Sequence, residues 1–195
     1  GLLDVLSATL VTGLRPSEWC FSDITLHAAT GRDVLRVRNA QHSNGHADSE
    51  FREFFIDDLK EAEQIQIQAA LSYCAITRDA DATTIELALK NELDNARDRT
   101  LPRTLRPLPP ITLNSFRQQF IADAKATFES QVMLAALCGF SSTKMKFSHG
   151  KRRLISPKVR VMPTAESIQA IHTITVDLYK VFLANRHQLR RPDVF

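Results

Sequence analysis

Between Asp23 and Ile56 the chain carries three β-prone runs in close succession, "ITLHA", "DVLRVRN" and "REFFI", inside a sequence that elsewhere has helical periodicity. Thr30-Gly31 supplies a tight turn between the first two, and "HSNGHAD" (His42 to Asp48) a longer tip before the third. Links this short cannot hold a crossover helix, so the three runs must pair as a three-stranded antiparallel sheet. Helices on both sides of one small sheet make the class α+β and mostly α-helical.

The flanking segments bear this out. Leu2, Leu3, Val5, Leu6, Leu10 and Val11 recur at helical spacing, and Gly13 ends that helix. From Asp57 a helix runs through "DLKEAEQIQIQAALSYCAIT"; Asp81 or Thr83-Thr84 caps the next, "TIELALKNELDNARDRT". Pro102, Pro107, Pro109 and Pro110 make a non-helical connector, after which Thr112 or Asn114 caps "SFRQQFIADAKAT". "ESQVMLAALCGF" stops at Gly139, and Pro163-Thr164 open a last long helix with Ile168, Ile171, Ile174, Leu178 and Val181 on one face. Trp19 and the phenylalanines are expected in the core.

Residues 1–195 have room for a single full-sized domain, and 44% hydrophobic with 24% charged residues is the composition of a folded chain. Because the first residues are already amphipathic, the chain reads as the C-terminal part of a longer protein. No apolar run reaches membrane-spanning length and no signal peptide opens the chain, so the expectation is a cytoplasmic protein, nucleoid-associated if bacterial, with no membrane partner. Cys20, Cys74 and Cys138 are odd in number and widely spaced, which suggests reduced thiols. His42, His46 and His149 have no metal-ligand spacing with a carboxylate or cysteine, so no metal and no small-molecule cofactor is expected. The net charge of +3 is unevenly placed: Asp48 to Glu63 is acidic, whereas Lys144 to Arg160, "KMKFSHGKRRLISPKVR", contains no acid. Such a basic tract suits an anionic polymer, with a solvated loop as the plain alternative.

Three boxes follow this order of elements. "TGLRPSEWCFSDI" resembles the first arginine box of the tyrosine recombinase (phage integrase) catalytic domain, with Arg15 and Glu18 matching. "ITLNSFRQQFIADA" resembles the second, Arg117 taking the second arginine and Asn114 a histidine position. "LAALCGFSSTKMKFSHGKRR" resembles the third, where Phe140 replaces a histidine and His149, or Phe147 after a two-residue deletion, stands where the family has its nucleophilic tyrosine. Gln41 or His42 stands where the family's hairpin offers a lysine. The resemblance covers essentially the whole chain.

In that family two arginines and a histidine hold the phosphate, the tyrosine attacks it, and the lysine protonates the leaving oxygen. Arg15 and Arg117 remain, whereas Gln41, Asn114, Phe140 and His149 have changed chemistry. Neither tyrosine, Tyr73 or Tyr179, lies in the matching box. The resemblance therefore implies a catalytically inactive, recombinase-like protein that binds double-stranded DNA through Arg15, Arg117, Lys144, Lys146, Lys151, Arg152 and Arg153. Its role would be accessory, regulatory or architectural, with a second copy or an active recombinase as further partners. Two alternatives stand beside it: a divergent recombinase cleaving through His149 or a displaced tyrosine, and a protein-interaction module that has lost DNA.

Overall fold

A computed structural model describes residues 1–39, 50–75, 82–100, 110–140 and 159–171. The chain is α+β and mostly helical, with one small antiparallel sheet. Helix α1 (Leu2–Thr12) ends on Gly13 in the left-handed conformation at φ 69°. A 3₁₀ helix, Pro16–Phe21, follows and leads into β1 (Ser22–Leu26), β2 (Asp33–Arg38) and β3 (Phe51–Phe55). Helices α2 (Glu61–Ala75), α3 (Ala82–Thr100), α4 (Leu113–Thr127) and α5 (Gln131–Cys138) come next.

The sheet has four strands, not the expected three. A two-residue strand β4 (Met162–Pro163) pairs antiparallel with β3, giving the order β1-β2-β3-β4. Pro163, expected to open the last helix, is therefore an edge-strand residue, a place where its missing N–H is tolerated. Thr164 takes over the helix start: its Oγ1 accepts from the Ser167 backbone N–H at 3.3 Å, and residues 165–171 are helical. Ser167 in turn bonds both the N–H and the carbonyl of Glu53, at 2.8 and 3.1 Å. The chain after β4 is thus fastened to β3.

Helix α2 starts at Glu61, a turn later than expected, because residues 57–59 form a turn. Thr83 and Thr84 lie inside α3 instead of capping it, and Asp81 falls outside the described residues. Thr112 is the N-cap of α4, and Asn114 sits in its first turn.

One apolar core unites Val5, Leu14, Trp19, Leu35, Phe54, Ile67, Leu89, Phe120, Leu137 and Phe140. Trp19 donates through Nε1 to Thr9 Oγ1 at 3.0 Å, which satisfies the buried indole N–H and pins the 3₁₀ helix to α1. Cys20, Cys74 and Cys138 are buried, and none of them forms a disulfide among the described residues. No described helix is long and apolar enough to cross a membrane.

Candidate anion-binding site

Burial alternates along the strand β3, and its inward face begins with an arginine. Phe54 and Arg52 are both buried and share that face, since β2 pairs Leu35 with Phe54 and Val37 with Arg52. An arginine in a core register must find its hydrogen bonds inside. Arg52 donates from Nη1 and Nη2 to the two oxygens of Glu18 at 3.1 and 2.8 Å. Its Nε donates to the Leu137 carbonyl at 3.2 Å, and Nη1 also reaches Asn39 Oδ1 at 2.5 Å. Sequence reasoning missed Arg52. The signal available was slight: Arg52 stands two residues before Phe54, and so on the same face of the strand.

Glu18 is the hub. Pro16 keeps the preceding Arg15 extended (φ −72°, ψ 152°), so Glu18 can reach back and accept the Arg15 backbone N–H at 2.7 Å. Glu18 Oε1 also accepts from Arg15 Nη1 at 2.8 Å, and Arg117 Nη1 stands 4.0 Å from Oε2. Burial, the largest single influence, pushes the Glu18 carboxyl up. The combined pull of Arg52, Arg117 and Arg15 overrides it and lowers the group from 4.5 to about 2. Glu18 is a carboxylate at any physiological pH.

Arg117 comes from α4 and is spent on helix ends. Its guanidinium donates to the carbonyls of Gly13, which closes α1, and of Cys138, the last residue of α5, the latter at 2.7 Å. Carbonyls there have no partner within the helix, and the helix dipole is negative at that end, so a cation is well placed. Burial nevertheless lowers Arg117 from its ordinary value to about 10. Phe140 packs against both cations, with its ring centroid 5.5 Å from the Arg117 and 5.9 Å from the Arg15 guanidinium carbon. The glycine before it is obligatory: Gly139 has φ 60°, and a Cβ there would stand 2.7 Å from Arg52 Nη1 and 2.9 Å from Asn39 Oδ1.

Three guanidinium groups thus share one carboxylate. The ends of α1 and α5 contribute roughly half a negative charge each, which leaves a net excess of about one positive charge in a largely desolvated place. The arginines differ in access: the Arg15 side chain is 17% exposed, Arg52 3% and Arg117 5%. Arg15 also donates one side-chain hydrogen bond among the described residues, to Glu18, so most of its fork is uncommitted. An anion approaching from solvent meets Arg15 first.

Asn114, the other expected position outside the cluster that is among the described residues, does not join it. Asn114 is exposed and lines a groove with Glu86, Lys90, Leu93 and Asp94 of α3, and no described hydrogen bond links it to the arginines. Gln41, His42, His46, Phe147, His149, Lys144, Lys146, Lys151, Arg152, Arg153 and Tyr179 lie outside the described residues. Arg160, at the described end of the basic tract, is paired with Glu63 at 2.9 Å. Tyr73 donates its hydroxyl to Glu92 at 2.7 Å, and that hydrogen bond, with burial, pushes its phenol up to about 12, away from nucleophile chemistry at neutral pH. Among the described residues no group of three or more His, Cys, Asp or Glu side chains is placed to hold a metal ion.

No family model, curated protein or solved structure matches the chain.

Proposed function

We propose that this chain binds the phosphate backbone of double-stranded DNA without cutting it, with Arg15 as the phosphate contact of a degenerate tyrosine recombinase-like site. The observation that carries this reading is the three-to-one arginine cluster, positive in excess and open to solvent through Arg15. A phosphodiester oxygen supplies the missing negative charge and accepts from the planar fork in the geometry it favours. The resemblance of the boxes around Arg15 and Arg117 supplies the choice of DNA among phosphate-bearing ligands. Phe140 supports the non-cleaving part of the reading: it puts an aromatic face against both guanidinium groups where the family places a histidine donor, so the oxyanion loses one hydrogen bond.

The test is fluorescence anisotropy of a short mixed-sequence duplex across a salt series, with covalent trapping on a nicked duplex run in parallel. Binding should weaken steeply with salt. Arg15→Ala should lower affinity about tenfold, the value of one charge-assisted hydrogen bond of roughly 1.5 kcal/mol, and make the logarithmic salt slope shallower by about 0.9. Arg15 is the right residue to remove because Arg52 and Arg117 hold the ends of α1 and α5. No adduct should form. Binding that ignores both salt and the Arg15 change would overturn the reading, and a covalent adduct would replace it with that of an active recombinase.

A further inference from the structure

We infer that Arg52 is a positioning residue that keeps Arg15 available to an anion by occupying Glu18. The inference rests on the phosphate reading of Arg15 given above and adds the device by which the fork stays free. An ionised carboxylate offers about four acceptor sites. On Glu18 these are taken by Arg15 Nη1 and Arg52 Nη1 at Oε1, and by the Arg15 backbone N–H and Arg52 Nη2 at Oε2. Arg52 therefore covers both oxygens at once, and Arg15 can claim only one of them with its side chain.

Without Arg52 the balance changes in two ways. Glu18 would have unoccupied lone pairs in a buried place, and the nearest flexible cation is Arg15, already 2.8 Å away and anchored by its own backbone N–H. Its fork would close on Glu18 bidentately and turn from solvent. The cluster would also lose one positive charge while keeping the Glu18 carboxylate, so among the described residues its excess over neutrality would vanish once the helix ends are counted. Both changes act on Arg15 even though Arg52 itself is sealed from solvent and touches no incoming ligand.

The test compares the native chain with Arg52→Met and with the double variant Glu18→Gln/Arg52→Met. Anisotropy against the same duplex is one readout. The other is the rate at which phenylglyoxal modifies Arg15, followed by peptide mass spectrometry, which needs no DNA. Arg52→Met should slow Arg15 modification severalfold and make the salt slope shallower by about 0.9. The double variant removes the competing carboxylate and should recover both values, which a merely structural role for Arg52 would not produce.

Should Arg52→Met fail to fold, Arg52→Lys carries the experiment, because a single ammonium cannot cover both Glu18 oxygens and Arg15 modification should still slow. Unchanged Arg15 reactivity in a folded Arg52 variant, or no recovery in the double variant, would overturn the assignment. A chain that binds no DNA yet shows the slowed and recovered modification would sink the phosphate reading alone and leave Arg52 as the residue that positions Arg15.

Discussion

Glu18→Ala is expected to lower the thermal midpoint by about 10 °C, read from the fluorescence of Trp19, the chain's single tryptophan. The substitution leaves Arg52 and Arg117 buried without their carboxylate, and breaking a buried ion pair from one side costs roughly 3–5 kcal/mol. In a domain of this size each kcal/mol corresponds to about 2–4 °C. The pH dependence gives a second check with a fixed sign. Glu18 takes up its proton near pH 4.5 in the unfolded chain and at about 2 in the folded one, so its stabilisation is complete above about 4.5 and disappears as pH falls towards 2. That separation is worth about 3 kcal/mol.

The acid limb of the stability curve should therefore be shallower in Glu18→Gln than in the native chain, by about that amount across the same window. Arg117 acts at higher pH. Burial makes its folded state bind the proton less tightly than the unfolded state does, so its contribution to stability rises with pH where that of Glu18 is already complete. Removing one member of the cluster is expensive, because the rest stay buried without their counter-charge.

Gly13→Ala is the second large effect, expected to cost roughly 3–4 kcal/mol in denaturant unfolding. Part of this, about 1–2 kcal/mol, is the left-handed backbone at φ 69°, which an L side chain resists. The rest is collision: a Cβ at this position would stand 2.2 Å from the Phe120 ring, itself fully buried, and overpacking of this kind costs about 1–3 kcal/mol. The two terms can be separated. Combining Gly13→Ala with Phe120→Leu should recover the collision term but not the backbone term, so the double variant should be more stable than the sum of the single changes predicts. Because the Gly13 carbonyl accepts from Arg117, displacement of this turn should also disturb the arginine cluster.

Much of the architecture was legible because it follows from neighbours in the chain. The spacing of Leu2, Val5 and Leu6 marks α1 and Gly13 its end; the runs from Ile24 to Ile56 mark the antiparallel strands; Thr112 and Gly139 mark where α4 begins and α5 stops. Each is a signal of a few residues. Strand β4 had no such signal. Met162–Pro163 is two residues long and contains a residue that cannot donate to a ladder, and it is a strand only because β3 lies beside it.

The site divides along the same line. Arg15, Glu18, Arg117 and Phe140 could be singled out in the sequence, as could the contrast between an acidic middle and a basic stretch after α5. What each side chain spends its charge on could not. Glu18 and Arg52 are 34 residues apart, and Arg117 and Gly13 are 104 apart, and no local pattern encodes which donor meets which acceptor across such distances. Local propensity, periodicity and turn chemistry determined the elements of this protein and the residue types at its candidate site. Only the tertiary structure decided that Arg52 and Arg117 are consumed by Glu18 and by two helix ends, because long-range burial forces every desolvated cation to find a partner, and only Arg15 keeps both solvent access and most of its donors.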